Sequence, residues 1–230
     1  MILPKFTVKL NKALDQQCFI KFFQEKNPLI FEHYPFLKSE NDVKKLIKYM
    51  YKNKIDEIED TEKYILSKQD SLEKVARQLA EIVGTDWEGI ENINVIPAIC
   101  PVCPRFIESN SFLVTYFYNK DAIFRICAHE MLHFIFFKKL KLLFPNETID
   151  TGFPGKDWLL SEIVAPLIIN SDDLQQYVSQ KDEFYAPIEI KNIDQLQKQI
   201  GSEYKNRNNF DDFIFKARTL VLSNTKKSKN

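Results

Sequence analysis

Glycine is scarce in this chain, with 5 among 230 residues. No G-x-G-x-x-G or G-x-x-x-x-G-K pattern occurs, so glycine loops that cradle phosphates are excluded as the basis of function. The 4 cysteines, Cys18, Cys100, Cys103 and Cys127, are too few and too scattered to form a disulfide framework, and they fit a reducing compartment. Neither sign of charge is in excess, since 32 Lys+Arg balance 32 Asp+Glu. Binding to a phosphate backbone usually needs a basic surplus, so no nucleic-acid partner is expected. Long apolar runs are missing too. The longest, from Ala122 to Phe137, contains Arg125, His129, Glu130 and His133 and is short for a bilayer, so no membrane partner is expected. Met1 to Lys9 carries two lysines and no apolar stretch, unlike a secretion signal. These absences lead to the expectation of a soluble, cytoplasmic protein.

What is present is an ordinary globular composition, 44% hydrophobic and 28% charged, on a chain long enough to bury a sizeable core. The first 88 residues read as helices. Leu10, Leu14, Cys18 and Phe22 recur every fourth residue, which places them on one helical stripe. Ser39 with Asp42 has the form of a capping box, followed by Val43, Leu46, Ile47 and Met50 at helical spacing. Leu72, Val75, Ala76, Leu79, Ile82 and Val83 mark a further helix, with Gly84 as its stop.

The pattern changes after Trp87. Asn92 to Ile99 reads as a short strand, and Phe112 to Tyr118 (FLVTYFY) is the best strand of the chain, rich in β-branched and aromatic residues. Asn119-Lys120-Asp121 makes a turn, with Asp121 as the expected N-cap of a helix from about Ala122 to Leu140. That helix is apolar nearly all round, which marks it as central and buried. A second apolar helix is expected over Asp157 to Ile169, kinked or ended by Pro166. Ser171 to Asn224 reads as helical with polar interruptions. The expected fold is therefore α+β and mainly helical. A small sheet from residues 92 to 118 packs on the 122–140 helix, residues 1–88 form a helical N-terminal region, and residues 89–230 carry the chemistry.

Histidine is the rarest informative residue, with only His33, His129 and His133. The last two frame His129-Glu130-Met131-Leu132-His133, an H-E-x-x-H pattern. With so few histidines, chance would produce it in roughly one such chain in a few hundred. Residues four apart share a helix face, so His129 and His133 can both address one metal ion. Neutral imidazole is a good zinc ligand, and Glu130 lies where it can take a proton from metal-activated water. Two histidines and a carboxylate in an apolar helix are costly unless paired or metal-bound. The alternative is two satisfied core histidines, with Glu130 paired to Arg125.

This segment resembles the active-site helix of the zincin metallopeptidases. The likeness covers roughly residues 90 to 170, and residues 1–88 have no counterpart in it. Phe136 and Lys139 stand where the metzincin branch has glycine and a third histidine, which excludes that branch. The gluzincin branch takes a glutamate from a following helix, and Glu162 fits as the single carboxylate inside LLSEIVAPLII. Asp150 and Asp157 are weaker candidates, in or next to a loop. The resemblance implies a zincin-like fold and a zinc ion held by His129, His133 and Glu162. It implies Glu130 as general base and a peptide or protein as substrate. It also implies a strand beside the cleft, here residues 112–118, and an oxyanion-stabilising residue for which Tyr185, Tyr204 and Arg218 are candidates. A different class of function stays open: a zinc-binding regulatory or interaction protein with one dedicated partner and little general proteolysis. Cys100-Pro-Val-Cys103 allows two readings, a pair of cysteines in a turn or a regulatory thiol pair near the site.

Overall fold

The computed structural model describes residues 2–184 and 192–226, with side chains described to residue 224. It has a small four-stranded sheet within a mainly helical α+β fold, as the sequence predicts. Strand β1 (Lys5–Val8) opens the chain and is followed by α1 (Lys12–Gln24), α2 (Pro28–His33), α3 (Glu40–Asn53), α4 (Ile55–Ser67) and α5 (Gln69–Val83). Then come β2 (Asn92–Ala98), β3 (Arg105–Phe106) and β4 (Ser111–Thr115). The rest is helical: α6 (Lys120–Leu143), α7 (Lys156–Ile169), the short α8 (Asp172–Gln175), α9 (Ile193–Lys205) and α10 (Phe210–Lys226).

Strand order is β1-β2-β4-β3. Three strands run parallel, with Phe6 opposite Ile93 and Val95 opposite Phe112, and β3 adds an antiparallel edge with Arg105 opposite Phe112. All five residues of β4 are buried, as expected of a strand covered on both faces. Because side chains alternate along a strand, Phe112 and Val114 enter the core that contains α5, α6 and α7, while Leu113 enters a second core under α1, α2 and α3. Phe112 meets Phe134 of α6 at 6.2 Å between ring centroids, which fixes the central helix against the sheet.

The sequence reading of the helices holds in outline, with shifted ends. Ser39 and Asp42 form the capping box of α3, and Gly84 ends α5 at φ +66°. Asn119, not Asp121, caps α6, its side chain accepting from the amide of Ala122 at 2.8 Å. Strand β4 stops at Thr115 and α4 was not separately anticipated. The first residues are also not helical. Lys5–Val8 is a strand that pairs with residues of the region after 88, so the sheet draws on both parts of the chain. Pro166 lies inside α7 and the helix continues to Ile169. An interior proline costs about 3 kcal/mol. Here α7 packs against α6, α9 and α10, and Val164, Ile168 and Ile169 are fully buried, which outweighs that cost.

Candidate metal centre

Helix α6 carries His129, Glu130 and His133 one turn apart in its middle, where the surrounding side chains are apolar and buried. One ligand atom from each of the three lies within 4.8 Å of the others, so the cluster can hold a metal ion. The ring Nε2 atoms of His129 and His133 are 2.9 Å apart. Helix α7 packs across α6 and delivers Glu162 to the same point. Its Oε2 is 3.4 Å from Nε2 of His129, and its Oε1 is 3.5 Å from Nε2 of His133. Asp157 is used elsewhere: its carboxylate binds Arg218 and the backbone amide of Asp150.

Two residues complete the site that the sequence did not single out for it. Asp182, on an irregular segment after α8, accepts from His129 Nδ1 at 2.7 Å and is ion-paired with Arg125. Asn170 clamps it from both sides, donating to its carbonyl and accepting from its amide, each at 2.8 Å. Arg125 is thereby paired with Asp182, not with Glu130. Arg105, on the edge strand β3, donates from Nη1 to Glu162 Oε1 at 2.9 Å and lies 3.7 Å from Glu130 Oε2. Asp182 had no sequence signal, because it stands among polar residues outside any periodic element. Arg105 had a weak one, a lone cation between Pro104 and Phe106.

The electrostatics follow from burial and these partners. Burial opposes charge on His129, but the Asp182 and Glu162 carboxylates outweigh it and raise its pKa to about 10. His133 is driven well below the usual histidine range by burial and by the positive charges of Arg105 and His129. Glu130 is pushed up to about 7 by burial, against the pull of Arg105 and His129. For Glu162 and Asp182 burial acts upward, yet the hydrogen bonds and charges of His129 with Arg105 or Arg125 hold both below the usual carboxylate range. The 2.9 Å contact between the two Nε2 atoms needs a proton on one of them, and the other ring nitrogen of His133 is Nδ1. That Nδ1 is buried without a hydrogen-bond partner. The proton between the two Nε2 atoms is the one a metal ion would displace.

The donor set fits a zinc-like cation. Donors about 2.0–2.1 Å from a tetrahedral centre are roughly 3.3 Å from one another. The two Nε2 atoms are 2.9 Å apart, and each faces a different oxygen of Glu162, Oε2 at 3.4 Å from His129 and Oε1 at 3.5 Å from His133. The Asp182–His129 contact supplies the outer carboxylate that fixes the tautomer of a metal-binding histidine.

The described oxyanion candidates, Arg218 and Tyr204, do not gather here. Arg218 is committed to Asp157 at 2.8 Å and Glu147 at 2.6 Å. Tyr204 packs against Phe213 and under Arg207. Tyr185 lies outside the described residues. His33 stacks on Phe117 at 4.6 Å and has no contact with the site among the described residues. Comparison with protein-family models, with curated proteins and with solved structures finds no match. No helix among the described residues is long and apolar enough to cross a membrane.

Proposed function

We propose that this chain is a zinc-dependent metallopeptidase with Glu130 as its general base. The observation that carries the reading is the His129–Glu130–His133 cluster of α6, against which α7 sets Glu162 within 3.4 Å of His129 and 3.5 Å of His133. A divalent cation held by those three residues would supply Lewis acidity, polarising a carbonyl and lowering the pKa of water towards neutrality. The chain's own groups do the rest. Asp182 holds His129 in the tautomer that presents Nε2. Glu130, whose burial lifts its pKa to about 7, is poised near neutrality, so that in its ionised form it takes a proton from the attacking water and, once protonated, returns it to the leaving amine.

The depth of the site supports a narrow substrate range, and so the second reading of a protein with one dedicated partner. The side chains of His133, Glu130 and Glu162 are 0%, 7% and 8% exposed, and His129 is the most open at 13%. An unfolded protein such as casein is then a poor substrate, while one particular peptide or partner is cut.

The test is metal content after exhaustive dialysis, by elemental mass spectrometry, together with a peptide-library digest. About one zinc per chain and cleavage that vanishes in Glu130→Gln, with zinc retained, is the expected result. A chain that takes up no zinc refutes the metal centre. Cleavage that is equally fast in Glu130→Gln refutes the peptidase assignment, and a chain that binds zinc but cuts nothing in the library refutes general proteolysis and favours the dedicated-partner reading.

A further inference from the structure

The guanidinium of Arg105 occupies one of the two oxygens of Glu162, the ligand that a cation needs. Its Nη1 is 2.9 Å from Glu162 Oε1, the same oxygen that lies 3.5 Å from His133 Nε2. The same nitrogen is 3.7 Å from Glu130 Oε2, so one charged group spans the candidate ligand and the candidate base. Nη2 reaches Ser161 Oγ at 3.4 Å, and the group lies over the ring of Phe137 at 5.6 Å. The side chain is 10% exposed, so this positive charge is held away from solvent beside two buried carboxylates.

Two buried carboxylates without a counter-charge are strongly unfavourable. Arg105 meets part of that need in the metal-free chain, at Oε1 of Glu162, while His129 faces Oε2. A cation at the His129–His133–Glu162 point would meet it too, and the two cannot share Glu162 Oε1 without bringing positive charges close together in a poorly solvated place.

We propose that Arg105 is an internal competitor for the cation: it neutralises Glu162 and Glu130 when the site is empty of metal, lowers the site's affinity, and leaves Glu162 when a cation binds. The proposal rests on the reading of His129, His133 and Glu162 as ligands. It makes metal affinity a property of the edge strand β3 as well as of the ligand helices, because the hydrogen bonds of β3 to β4 set where the guanidinium reaches.

The test titrates Zn2+ into the full chain against a chromogenic chelator, for the wild type, Arg105→Gln and Arg105→Lys. Removal of the charge in Arg105→Gln should tighten zinc binding by about tenfold or more, while Arg105→Lys, which keeps the charge, should stay within a few-fold of the wild type. Arg105→Gln should also melt lower than the wild type in the presence of EDTA. A Gln variant that binds zinc equally well or more weakly overturns the proposal and leaves the metal centre standing; no zinc binding by the wild type or either variant overturns both. Should the Gln variant fail to fold, the wild type decides by itself. The Arg105 guanidinium NMR signal, assigned by its loss in Arg105→Lys, should move on addition of Zn2+, and an unmoved signal overturns the proposal.

Discussion

Oδ2 of Asp182 lies 2.7 Å from Nδ1 of His129 and joins a segment after α8 to the middle of α6. The carboxylate accepts a hydrogen bond from Nδ1–H, so Nε2 is the ring nitrogen turned to the point shared with His133 and Glu162. Asn170 holds the Asp182 backbone and Arg125 pairs with its carboxylate, which makes the orientation a built feature of the core.

Asp182→Ala should therefore weaken zinc binding by about 10- to 100-fold, the usual effect of losing the outer partner of a metal-binding histidine. Chelator competition measures it. Affinity within twofold of the wild type would show that Asp182 serves only the fold.

Glu162→Gln removes a ligand charge and should lower zinc affinity more than Asp182→Ala does, while leaving the helices intact by circular dichroism. The contrast with Glu130→Gln, which should keep its zinc, separates a ligand from a base. Equal retention of zinc in both variants would remove Glu162 from the ligand set.

The four cysteines are free, and Cys18, Cys100 and Cys127 are buried. Burial pushes the Cys18 thiol up to about 11 and that of Cys103 up to about 12, so little thiolate exists at neutral pH. Alkylation by iodoacetamide at pH 8 should be slow in the native chain and complete in urea. The native rate should rise as pH approaches 11, because the reactive species is the deprotonated one. Fast native labelling of Cys100 or Cys103 at pH 8 would restore the regulatory thiol pair.

Arg218 should matter for stability and not for chemistry. Its Nε–Asp157 bond is buried, with side chains 8% and 4% exposed, and Asp157 also fixes the loop before α7 through the amide of Asp150. Arg218→Ala leaves that carboxylate uncompensated and should cost about 3–5 kcal/mol in urea unfolding, with zinc affinity of the folded fraction unchanged. Loss of less than 1 kcal/mol, or a change in zinc affinity, contradicts this assignment.

Much of the candidate centre was legible because its information is local. The four-residue spacing of His129 and His133 puts both on one helix face whatever surrounds them. Glu162 was legible as an anomaly, one carboxylate in a helix otherwise suited to burial. The uniform apolarity of α6 and α7 announced that both are central, and the β-branched and aromatic run before α6 announced a buried strand.

Tertiary structure decided the remainder. Four residues of alternating burial, Lys5–Val8, are too short a pattern to read as a strand, and only pairing with Asn92–Val95 makes them one. Pro166 is locally a helix breaker, yet packing of α7 on three helices carries the helix past it. Asp182 and Arg105 are ordinary charged residues in irregular sequence, 53 and 57 residues from His129 and Glu162, the partners that give them meaning. Spacing along one helix is set by backbone geometry and is written in the sequence. Contacts between distant segments depend on which surfaces the whole chain buries together, and only the assembled fold determines those.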